Sequence, residues 1–375
     1  MQETRHHSNR VRPGLAARAT LSACSRQWLT PAHEQLRGRA TKLHRMLPDD
    51  LDPDIRLFQR RLATAYAAHP PLASVDLAQA RAIVEAVRAP LTQGGPVMAG
   101  QRDIVVAVAG QPAVRLRLYR PDSAPAAAPA LVYLHGGGWV YFSLDTHDRL
   151  MREYAQRAGR MVIGVDYARA PEARFPVALE QTVAALRWLR GHGAEVGVDP
   201  ARIAIAGDSV GANLALAAAG VLRDAGECAA LQGLLLNYGV YSDDDDSESF
   251  ARFDGPNYTL GRDEMRGFWH SYLRSEADRS DARAQPLRGR LDGLPPCLLV
   301  VAEHDVLRDG NLALAARLRA AGGDVTLRRY TGATHSFLEA MSFAALSQRA
   351  LDDSAAWLRA LGDPGRLAGP AGAAA

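Results

Sequence analysis

Residues 203–211 read Ile203-Ala204-Ile205-Ala206-Gly207-Asp208-Ser209-Val210-Gly211, a short apolar run that passes into G-x-S-x-G and then into the apolar stretch Val210 to Leu222. A strand, a sharp turn and a helix in that order make the motif a nucleophile elbow. Side chains at the flanks of so tight a turn would clash, and glycine at 207 and 211 removes them. The reading predicts Ser209 at the carboxyl end of a strand, with its hydroxyl presented to a cleft.

On both sides of the elbow, apolar strand-like runs alternate with amphipathic helical patterns. Leu131 to Leu134 precedes a helix near Thr146 to Ala158, and Met161 to Val165 precedes one near Pro176 to Arg190. Downstream, Leu234 to Leu236, Cys297 to Ala302 and Val325 to Arg329 continue the series, with helices at Asn311 to Ala320 and Phe343 to Leu358. Such alternation predicts an α/β fold with a mostly parallel sheet covered by helices on both faces. Ile104 to Ala109 and Val114 to Tyr119, joined at Gly110-Gln111-Pro112, read as an antiparallel ribbon. Before them, Ile55, Leu57, Phe58, Leu62 and Tyr66, then Leu77, Ile83, Val84 and Val87, recur at helical spacing. The domain organisation expected is a basic extension (1–45), a helical cap segment (46–100), a catalytic domain (101–360) and an Ala/Gly/Pro-rich tail (361–375). Within the catalytic domain the rhythm stops at 237–295, a candidate lid or pocket wall with one helix near Arg262 to Leu273. Its Asp243-Asp244-Asp245-Asp246 run reads as a solvated loop rather than a calcium site. Tyr241, Phe250, Phe268, Trp269 and Tyr272 could serve either pocket or core.

A serine hydroxyl is almost wholly protonated at neutral pH and needs a base. On this architecture the order along the chain is Ser, acid, His. After the insertion only His304 and His335 stand in the right order. His335 lies in a loop after the last strand, in Gly332-Ala333-Thr334-His335-Ser336-Phe337, and is taken as the base. Asp305, in Glu303-His304-Asp305-Val306-Leu307-Arg308-Asp309, is taken to orient it, with Glu303 as second choice and His304 as a bystander. Asp309 reads as an acid at a helix start. Strand Leu131 to Leu134 ends in His135-Gly136-Gly137-Gly138-Trp139. Consecutive glycines after a buried strand expose backbone N–H groups, as an oxyanion hole requires, so Gly137 and Gly138 are candidate donors together with Val210. His135 reads as the anchor of that loop.

Composition narrows the alternatives. The 375 residues are 47% hydrophobic and 23% charged, an ordinary globular balance. No apolar run approaches the roughly 18 residues of a membrane span. The net charge of +3 is uneven: residues 1–45 carry nine basic side chains against Glu3 and Glu34, leaving 35 basic and 39 acidic in the rest. A mildly acidic body argues against a nucleic-acid groove. Leu21-Ser22-Ala23-Cys24 looks like a lipoprotein cleavage box but lacks an apolar segment before it, and Met46 is a second candidate start. Cys24, Cys228 and Cys297 are far apart and form no zinc or disulfide framework, so they read as reduced thiols of a cytoplasmic protein.

These residues resemble the hormone-sensitive-lipase-like branch of the α/β hydrolases, and within it the bacterial acetyl esterases, over roughly residues 50–360. The likeness rests on His135-Gly136-Gly137-Gly138-Trp139, Ser143-Leu144-Asp145-Thr146-His147-Asp148, Asp166-Tyr167 with Ala170-Pro171-Glu172, Gly207-Asp208-Ser209-Val210-Gly211-Ala212-Asn213, Asp305-Val306-Leu307-Arg308-Asp309, and His335-Ser336-Phe337. The resemblance implies an eight-stranded, mostly parallel sheet, an N-terminal helical cap, no metal or other cofactor, and hydrolysis of short-acyl carboxylic esters as small-molecule substrates. It also allows a homodimer through an edge strand or the helix after His335. The chain departs from the family at Val210 (usually Ala), Phe142 (commonly Gly) and Val306 (usually Pro). None of these removes a catalytic group, but the first two add bulk beside the oxyanion hole. The same triad would serve an amidase, formamidase or lactonase, whereas a non-catalytic receptor on this fold would lack a triad member.

Overall fold

The computed structural model describes residues 50–361, apart from Pro256. The basic extension expected at 1–45 and nearly all of the tail expected at 361–375 lie outside the described residues.

Eight strands form one sheet in the order β1-β2-β4-β3-β5-β6-β7-β8. They are β1 (Gly100–Val108), β2 (Gln111–Arg120), β3 (Ala128–Leu134), β4 (Met161–Asp166), β5 (Val198–Asp208), β6 (Leu231–Asn237), β7 (Cys297–His304) and β8 (Val325–Thr334). β1 and β2 pair antiparallel, β2 meets β4 antiparallel, and the remaining strands are parallel. The expected ribbon therefore forms, but it turns at Ala109-Gly110, with Gly110 at φ +70°. Pro112 sits instead near the start of β2, beside a register shift, where a missing N–H costs the ladder little.

The nine helices described are α1 (Pro53–Ala67), α2 (Leu77–Arg88), α3 (Asp148–Ala158), α4 (Val177–His192), α5 (Val210–Asp224), α6 (Glu248–Phe253), α7 (Arg262–Tyr272), α8 (Arg308–Ala320) and α9 (Ala345–Arg359). Successive strand side chains point to opposite faces, and the core divides accordingly. Val132, Leu134, Ile203, Ile205, Leu234 and Leu236 pack with α4, α5 and α8, whereas Leu131, Tyr133, Ala204, Ala206 and Leu235 pack with α1, α2, α3 and α9. Continuous apolar strands are the consequence of burial on both faces. No described helix is long and apolar enough to cross a membrane.

The strand order fixes where chemistry can gather. After β3 the chain goes to one side for β4 and to the other for β5, a topological switch point, and ligands of open α/β sheets bind in the crevice beyond the carboxyl ends of such strands. Leu134 of β3 pairs with Gly207 of β5, so the loop after β3 and the elbow after β5 emerge side by side. His304 of β7 pairs with Thr334 of β8, which brings Asp305 and His335 out together.

The elbow leaves no room at its second glycine. A Cβ on Gly211 would collide with the backbone carbonyl of Leu134 and crowd that of His135. Backbone atoms of a central strand cannot yield as a flexible side chain would, so Gly211→Ala should cost about 3 kcal/mol, the upper end of ordinary overpacking. A lowered urea midpoint at unchanged slope is the expected result; a midpoint equal to that of the parent protein would contradict the packing described.

Candidate active site

Ser209 is the residue between β5 and α5, with φ +55° and ψ −119°. A non-glycine residue in this strained region persists only where its surroundings over-determine it. Here Ser209 N donates to Asn237 O at 2.9 Å, and Ser209 O accepts from Ala212 N and Val240 N, both at 3.2 Å. The side chain thereby stands at the sheet rim. His335 Nε2 lies 3.0 Å from Ser209 Oγ, and His335 Nδ1 lies 2.7 Å from Asp305 Oδ2. The second Asp305 oxygen accepts from Leu307 N at 3.0 Å. All three are shielded from solvent, at 6%, 5% and 2% exposure for Ser209, His335 and Asp305, so water competes weakly for these bonds. Burial disfavours the imidazolium, but the charge and hydrogen bond of Asp305 outweigh it and raise the His335 pKa above its ordinary value.

The other acids and bases close in sequence to Asp305 are engaged elsewhere. Glu303 pairs with Arg308 at 3.4 Å and Arg329 at 2.7 Å. His304 Nε2 reaches Asp50 at 2.8 Å. Asp309, in the first turn of α8, accepts from Ser249 N at 2.7 Å.

Gly137 and Gly138 follow β3 with φ +106° and +64°. Gly137 O accepts from Val140 N at 3.1 Å and Tyr141 N at 2.8 Å, which folds the loop into a turn. Both glycines line the cavity that holds Ser209 and His335, about 470 Å³ in volume. Val210 is the first residue of α5, and first-turn N–H groups have no intrahelical acceptor. His135 does anchor the loop: its Nδ1 lies 2.7 Å from Gly136 O, and its ring stacks on Tyr167 at 4.4 Å. Burial, with the neighbouring His147 charge, pushes its pKa down to about 3, so the ring is neutral and Nδ1–H donates.

Sequence reasoning missed the hub of this loop. Asp208, fully buried beside the serine, accepts from Gly136 N at 3.1 Å and Tyr133 OH at 2.9 Å, and lies 3.3 Å from His147 Nε2. Burial opposes the charge on both Asp208 and His147, but their attraction dominates, lowering the Asp208 pKa and raising that of His147. The signal was the acid inside G-D-S itself; partners 61 to 75 residues away gave it no local pattern. A second missed feature is the buried pair Arg88 Nε to Glu339 Oε2 at 2.9 Å, with Arg88 Nη1 donating to Tyr66 OH at 2.6 Å. It ties α2 to the turn that follows His335.

The acidic run at 243–246 differs from the solvated loop expected. Asp244 and Asp246 are exposed, but Asp243 pairs with Arg279 and Arg288, and Asp245 pairs with Arg266. The guanidinium groups, Arg262 beside Asp245 among them, lie 17 to 45 residues onward, so the run alone showed only repulsion. Of the aromatics left open, Tyr241, Phe250, Trp269 and Tyr272 are core, and Phe268 lines the cavity. Among the described residues no three His, Cys, Asp or Glu side chains gather as a metal site would require.

Residues 131–339 match a family described as having the alpha/beta hydrolase fold. An acetyl esterase of Salmonella choleraesuis is 38% identical over 249 residues, 66% of this chain and 76% of that protein. Among solved structures, a hyperthermophilic esterase from the archaeon Pyrobaculum calidifontis superposes with a TM-score of 0.77 at 32% identity, covering 83% of this chain and 98% of its own. A thermostable esterase from Pseudomonas putida gives 0.78 at 32% identity, covering 84% and 98%. A thermophilic carboxylesterase cloned from a metagenomic library gives 0.74 at 36% identity, covering 78% and 99%.

Proposed function

The chain belongs to the alpha/beta hydrolase fold family, in its hormone-sensitive-lipase-like branch, and from that premise we propose that it is a serine hydrolase cleaving short-acyl carboxylic esters. The observation that carries this reading is one imidazole touching both Ser209 Oγ and Asp305 Oδ2 inside a glycine-lined cavity. Ser209 Oγ attacks the ester carbonyl while His335 Nε2 takes its proton. The oxyanion rests on the N–H groups of Gly137, Gly138 and Val210. His335 then protonates the leaving alkoxide, and water repeats the cycle on the acyl-enzyme. Asp305 holds the ring through Nδ1–H and stabilises the imidazolium. Asp208 acts through Gly136 and is a positioning residue for the oxyanion loop.

On this reading the described part of the expected cap segment, residues 50–100, covers the site and the insertion at 237–295 faces it, a division supported by Leu62, Tyr66, Val84 and Arg88 together with Leu260 and Phe268 lining the cavity. A cytoplasmic location and a homodimer belong to the same reading. An amidase, formamidase or lactonase would use the same residues, and the esterase names of the relatives favour the ester. Paired kinetics on p-nitrophenyl acetate and p-nitroacetanilide test this: hydrolysis of the ester alone, or far faster, is expected, and an amide turned over as fast as the ester would overturn the assignment.

The acid side of the pH profile follows from the site. Protonated His335 cannot accept the serine proton, and Asp305 favours the protonated ring, so kcat/KM should fall toward acid with an apparent pKa above the ordinary 6.5. An acid limb below 6.5 would contradict the assignment of His335 as the base.

A further inference from the structure

We propose that Phe142 sets the length limit of the acyl arm, an assignment that rests on the serine-esterase reading above. Phe142 has φ +65°, a left-handed backbone that a bulky side chain adopts only when its neighbours enforce it. Arg169 Nη1 donates to its carbonyl at 2.7 Å. Its ring lies against the oxyanion loop, with one ring carbon 2.8 Å from the position a Cβ on Gly137 would occupy. On its other sides it meets the His147 ring at 5.5 Å and carries the Arg88 guanidinium 5.0 Å above its face. Arg88 is itself fixed by Glu339 and Tyr66. The ring lines the cavity of Ser209 and His335, and what backs it is a buried ion pair, which cannot be split cheaply to admit a longer chain.

The chemistry decides which arm of the ester meets this wall. The leaving alkoxide takes its proton from His335 Nε2, so the alcohol arm stays on the side of His335, Ser336 and Thr259. On this assignment the acyl arm leaves the tetrahedral carbon on the opposite side, toward Gly137, Phe142 and Arg88, which line the same cavity. The assignment therefore predicts that an acetyl or propionyl group stops short of the ring and that a long apolar chain runs into it.

The test is a p-nitrophenyl ester series from acetate to octanoate, run beside acetates of alcohols from ethanol to octanol, on the full chain and on Phe142→Ala and Phe142→Gly. One methylene in an apolar pocket changes kcat/KM by about tenfold or more. Both variants should therefore raise the octanoate-to-acetate ratio at least about tenfold, with the alcohol series moving by less than about twofold. Phe142→Gly should also unfold at higher urea than Phe142→Ala, because only glycine relieves the backbone. An unchanged acyl ratio in both variants, or a shift confined to the alcohol series, overturns the assignment. Should both truncations fail to fold, Phe142→Leu keeps most of the packing and gives the same reading at hexanoate. Labelling of the unmodified protein by a fluorophosphonate separates the two levels: without it the esterase reading fails, and with it a flat acyl ratio removes only the role of Phe142.

Discussion

Ser209→Ala should lower the turnover of p-nitrophenyl acetate by about 10⁶-fold, the loss expected when the nucleophile of a triad is deleted. On the proposed mechanism Ser209 Oγ is the atom that forms the acyl-enzyme, and among the described residues the hydroxyl bonded to His335 Nε2 is that of Ser209. What should survive is the acceleration over water supplied by the oxyanion donors and by binding, about 10³ to 10⁴. The methyl group of alanine fits the elbow, so the urea midpoint should stay near that of the parent protein. Steady-state kinetics with purified variant check the loss, and a fall of less than about a hundredfold would contradict the role of Ser209.

Asp305→Asn should lower kcat by about 10⁴ while leaving the geometry intact. An amide at 305 is isosteric, but it presents an N–H where the imidazole also presents one. The ring is then driven into the tautomer that leaves Nε2 protonated and unable to accept from Ser209. The same change removes the charge that raises the His335 pKa against the cost of burial, so the acid limb of kcat/KM should move to lower pH. Loss of rate without that movement would mark Asp305 as a merely structural residue. Glu303→Gln is the internal control: its carboxylate is committed to Arg308 and Arg329, and its loss should leave the pH profile where it was.

Much of the fold was legible because parallel strands buried on both faces must be continuously apolar and their helices amphipathic. The run from Ile203 to Ala206 and the helix from Val210 are examples in which pattern and architecture coincide. The three side chains of the proposed triad, which the fold brings into contact, could be named for a related reason. Each follows directly on a strand, so chain order and strand ends together limited the choice to His304 or His335 and to Glu303 or Asp305. Side-chain partners set by the strand order were not legible. Nothing local announces that Asp208 binds Gly136 and His147, because β5 lies next to β3 only after the sheet is wound. Nothing in the sequence singled out Arg88, because its burial against Glu339 depends on how the cap segment docks. The acidic run at 243–246 misled for the same reason, its arginine partners being supplied by later turns of the insertion. Phe142 stood out in the sequence only as bulk; its left-handed backbone is visible only once the loop is folded.

If Ser209 is a nucleophile activated by His335, covalent labelling will read it without a substrate. Trypsin should release Ile203 to Arg223 as a single peptide in which Ser209 is the only hydroxyl-bearing side chain. After treatment with a fluorophosphonate, that peptide should carry one phosphonyl adduct, and a His335→Ala variant should remain unlabelled. An unmodified peptide, or an adduct that forms equally well without the imidazole, would contradict the claim.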